Sequence, residues 1–379
     1  MYLSGTKAAT TPNDGRQDQL NDIRLMLQTL DIPITRAANS KLDQVDFDNI
    51  QFGQVYADHM FVADYNGHEW TNLRVIPYGD MPFTPALAAL HYGQSIFEGI
   101  KAYKSAEGEA ILFRADKNAA RFNKSAQRMC MPEIPEEIFM SGIGELLKLD
   151  KGWIPERPGT ALYIRPFMFA ADEYIGVRPS ETYTFCVFTG PVGGYYSQPV
   201  RVKIEQEFVR AAEGGVGYAK TAGNYAASLY PAQLAKQQGY DQLIWTDSKT
   251  HKYIEEAGTM NIMMVMDGTL VTPPTGTTIL NGVTRDSILA LAREWGMPVE
   301  ERPVSVAEII EAIEQGTLQE AFGAGTAATV AHIAVIGHEG TDYELPPVAE
   351  RKFSNKALAA LDDIKYGRTE GPQGWVKKF

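Results

Sequence analysis

Two apolar segments in the middle of the chain restrict its fold more than any other feature. Ala161–Ala170 and Tyr183–Thr189 carry apolar residues at successive positions, which is typical of strands buried on both faces. Gly190–Pro199 follows them, and its Gly and Pro content indicates a linker. The chain has 379 residues, a length that favours about two domains. We therefore expect a domain boundary at this linker.

Strand and helix patterns on either side of the linker follow one another without a regular βαβ alternation. Asn66-Gly67 and Asp267-Gly268 mark turns between strand-like runs. This pattern predicts an α/β (α+β) fold with mixed sheets in two domains. The helices that we expect from apolar spacing are Gln17–Leu30, Ala115–Met129, Pro135–Leu149, Ala226–Gln237, Arg285–Trp295, Val306–Gln315 and Ser354–Tyr366. The expected divisions are a polar, partly disordered lead at 1–40, a smaller domain at 41–190, an interdomain loop at 191–199 and a larger domain at 200–379.

The charge and the cysteine pattern argue against several classes of partner. A formal net charge of -12 disfavours nucleic acid and anionic membranes as main partners, and no apolar run has the length of a membrane span. Cys130 and Cys186 lie far apart beside apolar residues, which favours buried free thiols in a reducing compartment. The six histidines show no zinc-ligand spacing, and the N-terminus has no signal-peptide pattern. We expect a cytoplasmic protein without a metal site.

Lys220 is the first candidate for chemistry. It lies in the sequence AAEGGVGYAKTAGNYAAS, and no other charged residue occurs between Gly214 and Ala235. A lysine among small apolar residues can have a desolvated amine that is reactive at neutral pH. The alternative is a solvated lysine in a Gly-rich surface loop.

Three further segments carry weaker signals. Glu256 precedes a long uncharged run, so it is either a carboxylate aimed at a cationic ligand or a solvated strand end. Asn281–Arg285 begins a helix, whose first N–H groups could bind an anion or be capped in the ordinary way. Gly323–Ala328 is Gly-rich and contains a threonine that could contact a phosphate.

Lys220 and these segments suit a single ligand, pyridoxal phosphate. A lysine can bind its aldehyde, a carboxylate such as Glu256 can keep its ring nitrogen protonated, and a helix start can hold its phosphate. The protonated ring withdraws electrons when the Cα–H bond of an amino acid breaks.

Six motifs carry a resemblance to a known family. HYGQSIFEG, LYIRP, GYAKTAGNY, EAGTMN, ILNGVTR and FGAGTAA occur in this order between about Tyr56 and Val335. Together they resemble the branched-chain amino-acid aminotransferases, which are fold type IV pyridoxal-phosphate enzymes. The resemblance implies reversible transfer of the amino group of L-leucine, L-isoleucine or L-valine to 2-oxoglutarate, by a ping-pong route through pyridoxamine phosphate. It also implies a homodimer in which each site takes a loop from the neighbouring subunit.

The resemblance implies a role for each residue that contacts the cofactor. Lys220 would carry pyridoxal 5'-phosphate and shuttle a proton, and Tyr225 would hydrogen-bond the ring oxygen. Glu256 would contact the ring nitrogen. The residues that would hold the phosphate are Arg121, Val283, Thr284 and Thr326.

The resemblance also implies a substrate pocket. The α-carboxylate would meet Thr259 and the backbone N–H groups of Ala327 and Ala328. Arg165 with Tyr92 would bind the γ-carboxylate of glutamate, which would supply the anionic partner that an arginine in a buried strand needs. The apolar and aromatic wall of the pocket would consist of Tyr56, Phe97, Tyr163, Val177 and Tyr195.

Two other functions stay open at this point. A D-amino-acid transaminase or an aminodeoxychorismate lyase-like enzyme would share the fold, although Arg165 and the aromatic wall argue against both. The second alternative is a homologue that binds pyridoxal phosphate without catalysing a reaction, and the complete catalytic set argues against it.

Overall fold

The computed structural model describes residues 30–379 of the chain, and these residues contain two β-sheets. The helix expected at Gln17–Leu30 lies outside the described residues except for its last position. The strands of the first sheet are β1 (His59–Tyr65), β2 (Trp70–Pro77), β3 (Ser95–Phe97), β4 (Ile100–Lys104), β5 (Ala110–Phe113), β6 (Ala161–Ala170), β7 (Tyr183–Val192) and β17 (Val376–Lys378). The strands of the second sheet are β8 (Val200–Ile204), β9 (Gln242–Thr246), β10 (Ile254–Ala257), β11 (Met260–Met266), β12 (Thr269–Thr272), β13 (Val299–Glu301), β14 (Leu318–Gly325), β15 (Thr329–His338) and β16 (Thr341–Glu344).

Helices connect and cover the strands. The α-helices of the described residues are α1 (Ala88–Tyr92), α2 (Ala115–Arg128), α3 (Glu136–Leu149), α4 (Ala222–Gln237), α5 (Val283–Glu294), α6 (Val306–Glu314) and α7 (Phe353–Lys365). Short 3-10 turns occur at Leu42–Gln44, Lys151–Trp153 and Val348–Glu350. The helix predicted at Ala226–Gln237 begins four residues earlier in the structure, at Ala222, directly after Lys220 and Thr221.

The first sheet is antiparallel in all the pairings between its strands. Its order is β17-β5-β4-β6-β7-β1-β2, with β3 beside β6. β6 and β7 pair along their whole length, from Ala161 opposite Val192 to Ala170 opposite Tyr183. Pro191 and Val192, which we expected in the interdomain loop, belong to β7 because its pairing with β6 continues through them.

The second sheet contains a closed ring of strands. β10, β9, β8, β15, β14 and β11 are neighbours in that order, and β10 also pairs with β11. β8 runs parallel to β9 and to β15, whereas the other pairings within the ring are antiparallel. The observed architecture is therefore a mixed α/β fold, as the sequence predicts.

Aromatic packing joins two helices to the first sheet. The ring centroids of Phe122 in α2 and Phe139 in α3 lie 5.5 and 5.7 Å from that of Phe185 in β7. Gly142 of α3 allows the helix to approach Phe61, because a Cβ at this position would lie 2.5 Å from the Phe61 ring. This contact explains a glycine inside a helix, where it would otherwise be unfavourable.

The second sheet packs against α5 and α7. Ile288 of α5 and Leu361 of α7 share a buried cluster with Phe322 of β14. The segment 193–199 separates the first sheet from the second, except that β17 returns from the C-terminal end to pair with β5. Pro33–Phe379 form one compact unit, and the domain boundaries stay a prediction. None of the helices between residues 30 and 379 combines the length and the apolar composition that crossing a bilayer requires.

Candidate active site

A cavity of about 610 Å³ lies between residues of the two sheets. β3 and β6 contribute to it from the first sheet, and the β10–β11 turn and the end of β14 from the second. The residues predicted from the sequence that line it are Phe97, Arg121, Tyr163, Arg165, Tyr195, Lys220, Tyr225, Glu256, Thr259, Val283, Thr284, Thr326 and Ala327. The structure therefore brings most of the predicted site together, and the roles of these residues stay predictions.

The main chain around Lys220 is fixed by hydrogen bonds to two other elements, β3 and α2. The N–H of Phe97 in β3 donates to the Lys220 carbonyl at 3.0 Å, and the Lys220 N–H donates to Ser125 Oγ of α2 at 2.9 Å. Thr221 Oγ1 donates to the carbonyl of Ser95 at 2.7 Å. Lys220 therefore has a defined position at the edge of the first sheet, although it is only two residues before α4.

The amine of Lys220 has a hydroxyl partner and, in the part of the chain that the structure describes, no carboxylate partner. Its Nζ donates to Tyr225 Oη at 2.6 Å, and Tyr225 lies in the first turn of α4. The same Nζ lies 5.0 Å from the ring centroid of Phe97. Within residues 30–379 no salt bridge involves Lys220, so its amine is available to a ligand. The half-buried position contradicts the alternative of a fully solvated surface lysine.

Glu256 is a buried carboxylate that lines the same cavity and is only 4% exposed. It accepts a hydrogen bond from the N–H of Leu280 at 2.8 Å, and its Oε2 lies 3.2 Å from Nε of Arg210. Burial raises the pKa of Glu256, and the guanidinium of Arg210 offsets this only in part. A cationic ligand group beside Glu256 would therefore be stabilised by the carboxylate, and the solvated strand end is excluded.

Arg121 is positioned by a second buried carboxylate, Glu98. Arg121 Nε and Nη2 donate to the two oxygens of Glu98 at 2.7 and 2.8 Å, a bidentate geometry that is among the strongest for such pairs. Asn118 of α2 also donates to Glu98 at 2.8 Å. Burial would raise the pKa of Glu98, but the charge and hydrogen bonds of Arg121 hold it below its ordinary value.

Helical spacing explains why α2 can supply this cluster. Asn118, Arg121 and Ser125 are three and four residues apart, so they lie on one face of the helix, and all three are buried. Ser125 is also the residue that accepts from the Lys220 N–H. One helix face thus connects Glu98 to the position of Lys220.

The start of α5 and the turn after β14 provide N–H groups for an anion. Gly282 precedes the helix without a side-chain cap, and Val283 and Thr284 occupy its buried first turn. The first N–H groups of a helix have no partner within the helix, so they can bind a phosphate or carboxylate. Thr326 and Ala327, between β14 and β15, line the same cavity.

Arg165 lies on β6 and extends its guanidinium into the cavity. Its Nη2 donates to Tyr163 Oη at 2.9 Å, and its Cζ lies 4.7 Å from the ring centroid of Phe97. Arg165 Nε is buried and has no hydrogen-bond partner, and no carboxylate between residues 30 and 379 forms a salt bridge with this arginine. The anionic partner expected from the sequence is therefore not supplied by the described part of the chain.

Four predicted substrate residues do not line this cavity in the single chain, and their roles stay predictions. Tyr56 Oη donates to the carbonyl of Gly53, and its ring stacks on Tyr78 at 5.0 Å between centroids. Tyr92 ends α1 and Val177 lies in the loop between β6 and β7, so their side chains project to solvent and are 39% and 92% exposed. Ala328 lines a neighbouring cavity, because the chain has already turned away from the main one.

The sequence interpretation missed several residues of the site. Glu98 lies in the quoted motif HYGQSIFEG, where a single charge within an apolar run was a usable signal. Arg210 precedes the Gly-rich segment and has no pattern that would connect it to Glu256. The aromatic lining residues Phe52, Phe167 and Phe188 come from separate segments, and only the fold shows that they meet.

We expect Glu98→Gln to destabilise the protein, because Arg121 would keep a buried charge without its counter-ion. The folded-state pKa of Glu98 is lowered, so its stabilising effect is present above the ordinary carboxyl range and is lost as pH falls through the folded pKa. Chemical denaturation near neutral pH should show a loss of about 3–5 kcal/mol in the free energy of unfolding. The difference from the wild type should shrink in acid.

Glu156→Gln is the matched control for this substitution. Its carboxylate pairs with Lys104 at the surface and is largely exposed, so the variant should unfold like the wild type. If Glu98→Gln were as stable as this control near neutral pH, the buried pair would not have the role that we assign to it.

Comparison with known proteins agrees with this geometry. The family model described as amino-transferase class IV matches residues 95–336. Branched-chain-amino-acid transaminase 1 of Bacillus subtilis (strain 168) is 43% identical over 339 residues, which cover 88% of this chain and 95% of that protein.

Solved structures are similar as well. The branched-chain aminotransferase of Thermoproteus uzoniensis, crystallised with norvaline, superposes with a TM-score of 0.71 at 25% identity and covers 84% of this chain and 99% of its own. The T.th. branched-chain amino acid aminotransferase, complexed with N-(5'-phosphopyridoxyl)-L-glutamate, has a TM-score of 0.66 at 25% identity, with 86% and 99% covered. The family predicted from the sequence motifs is confirmed, and the chain belongs to the class IV aminotransferases, among relatives that are branched-chain aminotransferases.

Proposed function

We propose that this aminotransferase uses pyridoxal 5'-phosphate to transfer the amino group of L-leucine, L-isoleucine or L-valine reversibly to 2-oxoglutarate. The observation that carries the proposal is the Lys220 amine, which is hydrogen-bonded to Tyr225 and shares one cavity with a buried carboxylate and an anion-binding turn. The named functions of its relatives support the same reaction.

The residues of the cavity fit pyridoxal phosphate at separate points. Glu256 is a buried carboxylate with a raised pKa, and a protonated ring nitrogen would neutralise it. Arg121, the first turn of α5 and Thr326 would hold the phosphate. When bound, the cofactor supplies an aldehyde that combines with amines and a ring that withdraws electrons from the substrate Cα.

The side chains of the site then have defined tasks in the reaction. Lys220 would hold the cofactor and, once a substrate amine has replaced it, would move the proton at Cα, because no salt bridge from residues 30–379 restrains its Nζ. Tyr225 would orient the ring through its hydroxyl. Arg210 favours the ionised form of Glu256, and an ionised Glu256 would keep the ring nitrogen protonated.

The wall of the cavity suits a branched aliphatic side chain and a second carboxylate in turn. Phe97, Tyr163 and Tyr195 line it, and Phe52 packs edge-on against both tyrosines with centroids 5.1 Å apart. These rings exclude water from an apolar substrate. The guanidinium of Arg165, which has no carboxylate partner between residues 30 and 379, would bind the γ-carboxylate of glutamate or 2-oxoglutarate.

Lys220→Ala tests the proposed function directly. Wild-type protein supplied with pyridoxal phosphate should be yellow and should convert L-leucine and 2-oxoglutarate to the branched 2-oxo acid and L-glutamate. The variant should lose both the colour and the turnover, because no other residue of the cavity lining carries a primary amine.

D-Alanine and aminodeoxychorismate should be assayed beside L-leucine under the same conditions. Preference for either of them over L-leucine would contradict the proposed substrate class in favour of a related enzyme of this fold. Binding of the cofactor without any amine transfer across a broad amino-acid panel would contradict a catalytic function.

Arg165→Met tests the second-carboxylate role, because it removes the guanidinium and keeps an unbranched apolar stem. We expect kcat/KM for 2-oxoglutarate and glutamate to fall, with a loss of transition-state stabilisation of about 2–5 kcal/mol. The kcat/KM for L-leucine should change much less. Steady-state kinetics with both substrate pairs provide the measurement. Equal losses for L-leucine and glutamate would show that Arg165 supports the structure of the cavity instead.

We also propose that the enzyme is a homodimer and that the partner copy supplies Tyr92 and Val177 to the cavity. Exposed apolar side chains around them support a buried interface, since Leu90 is 67% exposed and Ile175 62%. The two segments lie together, because Leu87 bridges to Glu173 and the Ala88 N–H donates to the carbonyl of Asp172. This surface would complete the aromatic and apolar wall of the other subunit.

Val177→Asp should weaken the dimer and raise KM for L-leucine, because it places a charge in the proposed interface. Light scattering coupled to size exclusion would report the mass at several concentrations. A wild-type monomer with full activity, or a variant with unchanged mass and kinetics, would contradict the shared site.

We propose a cytoplasmic location, which the cysteines support. Cys186 is buried as expected, whereas Cys130 is exposed, which corrects the expectation for that residue; both are free thiols, as is usual in a reducing compartment. Fractionation of cells that produce the protein would test this location, and recovery in a secreted fraction would contradict it.

A further inference from the structure

Two buried lysines lie behind the turn that carries Thr326 and Ala327. Lys101 of β4 donates from Nζ to the carbonyl of Ala327 at 2.5 Å, and Lys365 of α7 donates to Thr329 Oγ1 at 2.6 Å. Their residues are only 9% and 3% exposed. Neither forms a salt bridge with a carboxylate between residues 30 and 379. The proposed reaction assigns no task to either amine.

The two amines occupy an environment that disfavours their charged forms. Burial lowers the pKa of Lys101 to about 8 and that of Lys365 to about 7, and among residues 30–379 the opposing charge that faces them is Asp362 of α7. Lys365 also faces Lys101 and the rings of Tyr103 in β4 and Phe113 in β5, with centroids 5.9 and 5.5 Å from its Nζ. A buried ammonium without an ion pair opposes folding, so a role outside stability is the better explanation for the pair.

The hydrogen bonds of the lysines fix the geometry of the turn. In a trans peptide the C=O and the following N–H point in opposite directions, so Lys101 determines the plane of the Ala327–Ala328 peptide. Thr329 has a φ of 61°, a left-handed conformation that is unfavourable for a β-branched residue. Lys365 holds the hydroxyl of this same residue. One lysine amine thus forms a hydrogen bond with Ala327, and the other with Thr329 at the end of the turn.

The lysines also lie close to the anion-binding residues. A small cavity is lined by Lys101 and Lys365 together with Val283, Thr284 and Thr326. Positive charge here would lie close to N–H groups that could bind an anion, and the low dielectric of the interior would strengthen its effect.

We propose that Lys101 and Lys365 are positioning residues for the substrate α-carboxylate, which hold the turn 326–329 and place positive charge behind it. The inference rests on the proposed function, because it assumes that a carboxylate binds at this turn. The two amines act through the turn and do not contact the substrate.

The test uses holoenzyme and 4-methylpentanoate, a carboxylate with the carbon skeleton of leucine and no amine. Its dissociation constant can be measured by calorimetry or by the change in cofactor absorbance, without turnover. We expect Lys365→Met and Lys101→Met each to raise this constant about tenfold, with 4-methylpentan-1-amine as the probe that lacks the carboxylate and should bind as before. Lys365→Gln, which retains a donor for Thr329, should show a smaller loss.

Lys104→Met is the matched control, because Lys104 is on the same strand but pairs with Glu156 at the surface. It should bind both probes like the wild type. The melting temperatures of the Lys365 variants should be equal to or above that of the wild type at neutral pH, since a buried ammonium is removed. This readout separates a binding effect from misfolding.

The pH dependence gives a second readout. Because lysine is charged below its pKa, wild-type affinity for 4-methylpentanoate should fall as pH rises through about 7 to 8, and the Met variants should show a flatter profile. Unchanged dissociation constants in folded, cofactor-loaded Met variants would overturn the inference alone. Failure of the wild type to bind the carboxylate and to transaminate L-leucine would overturn the proposed function as well.

Discussion

The arrangement of the site depends on how the main chain of Lys220 is held. Its carbonyl accepts from β3 and its N–H donates to α2, both elements that belong to the first sheet and its helices. The lysine itself precedes α4, whose first turn carries Tyr225. A reactive amine on a loop would sample many positions, and ordering it has an entropic cost. Here the surrounding sheet and helices meet that cost before any ligand binds.

Two buried ion pairs give the cavity its opposite charges. Glu98 holds Arg121 in a bidentate geometry, and Arg210 lies against Glu256. In each pair the residue that lines the cavity, Arg121 or Glu256, is held by a residue of opposite charge outside the lining. The orientation of its side chain is therefore fixed before a ligand binds. The pKa shifts of the two carboxylates differ in direction, because the tight contact with Arg121 outweighs burial at Glu98, whereas burial dominates at Glu256. Arg121 can therefore supply a permanent cation for a phosphate. Glu256 can supply a carboxylate for a ring nitrogen, and its raised pKa allows its protonation state to change.

The sequence predicted those helices and site residues that have a local pattern in the chain. Apolar periodicity placed α2 and α3 within one or two residues, and specific motifs identified Lys220, Tyr225 and Glu256 together. Contacts between residues that are far apart in the sequence have no such local pattern. The salt bridge of Arg210 with Glu256 and the contact of Lys365 with Thr329 join residues 46 and 36 positions apart, and only the closed strand ring and α7 bring them together. Tyr92 and Val177 matched the family pattern, yet both lie at the surface of this chain, because a sequence motif does not show where the fold places a side chain.

Covalent mapping of the cofactor would show which lysine carries it. Holoenzyme would be treated with borohydride, which reduces the lysine–cofactor linkage to a stable amine, and its digest would be sequenced by mass spectrometry. Lys101 and Lys365 provide the comparison, because burial lowers the pKa of each amine, although neither lines the cavity that contains Lys220. We expect the pyridoxyl label on the peptide that contains Lys220. Label on Lys101, on Lys365 or on no lysine at all would contradict it.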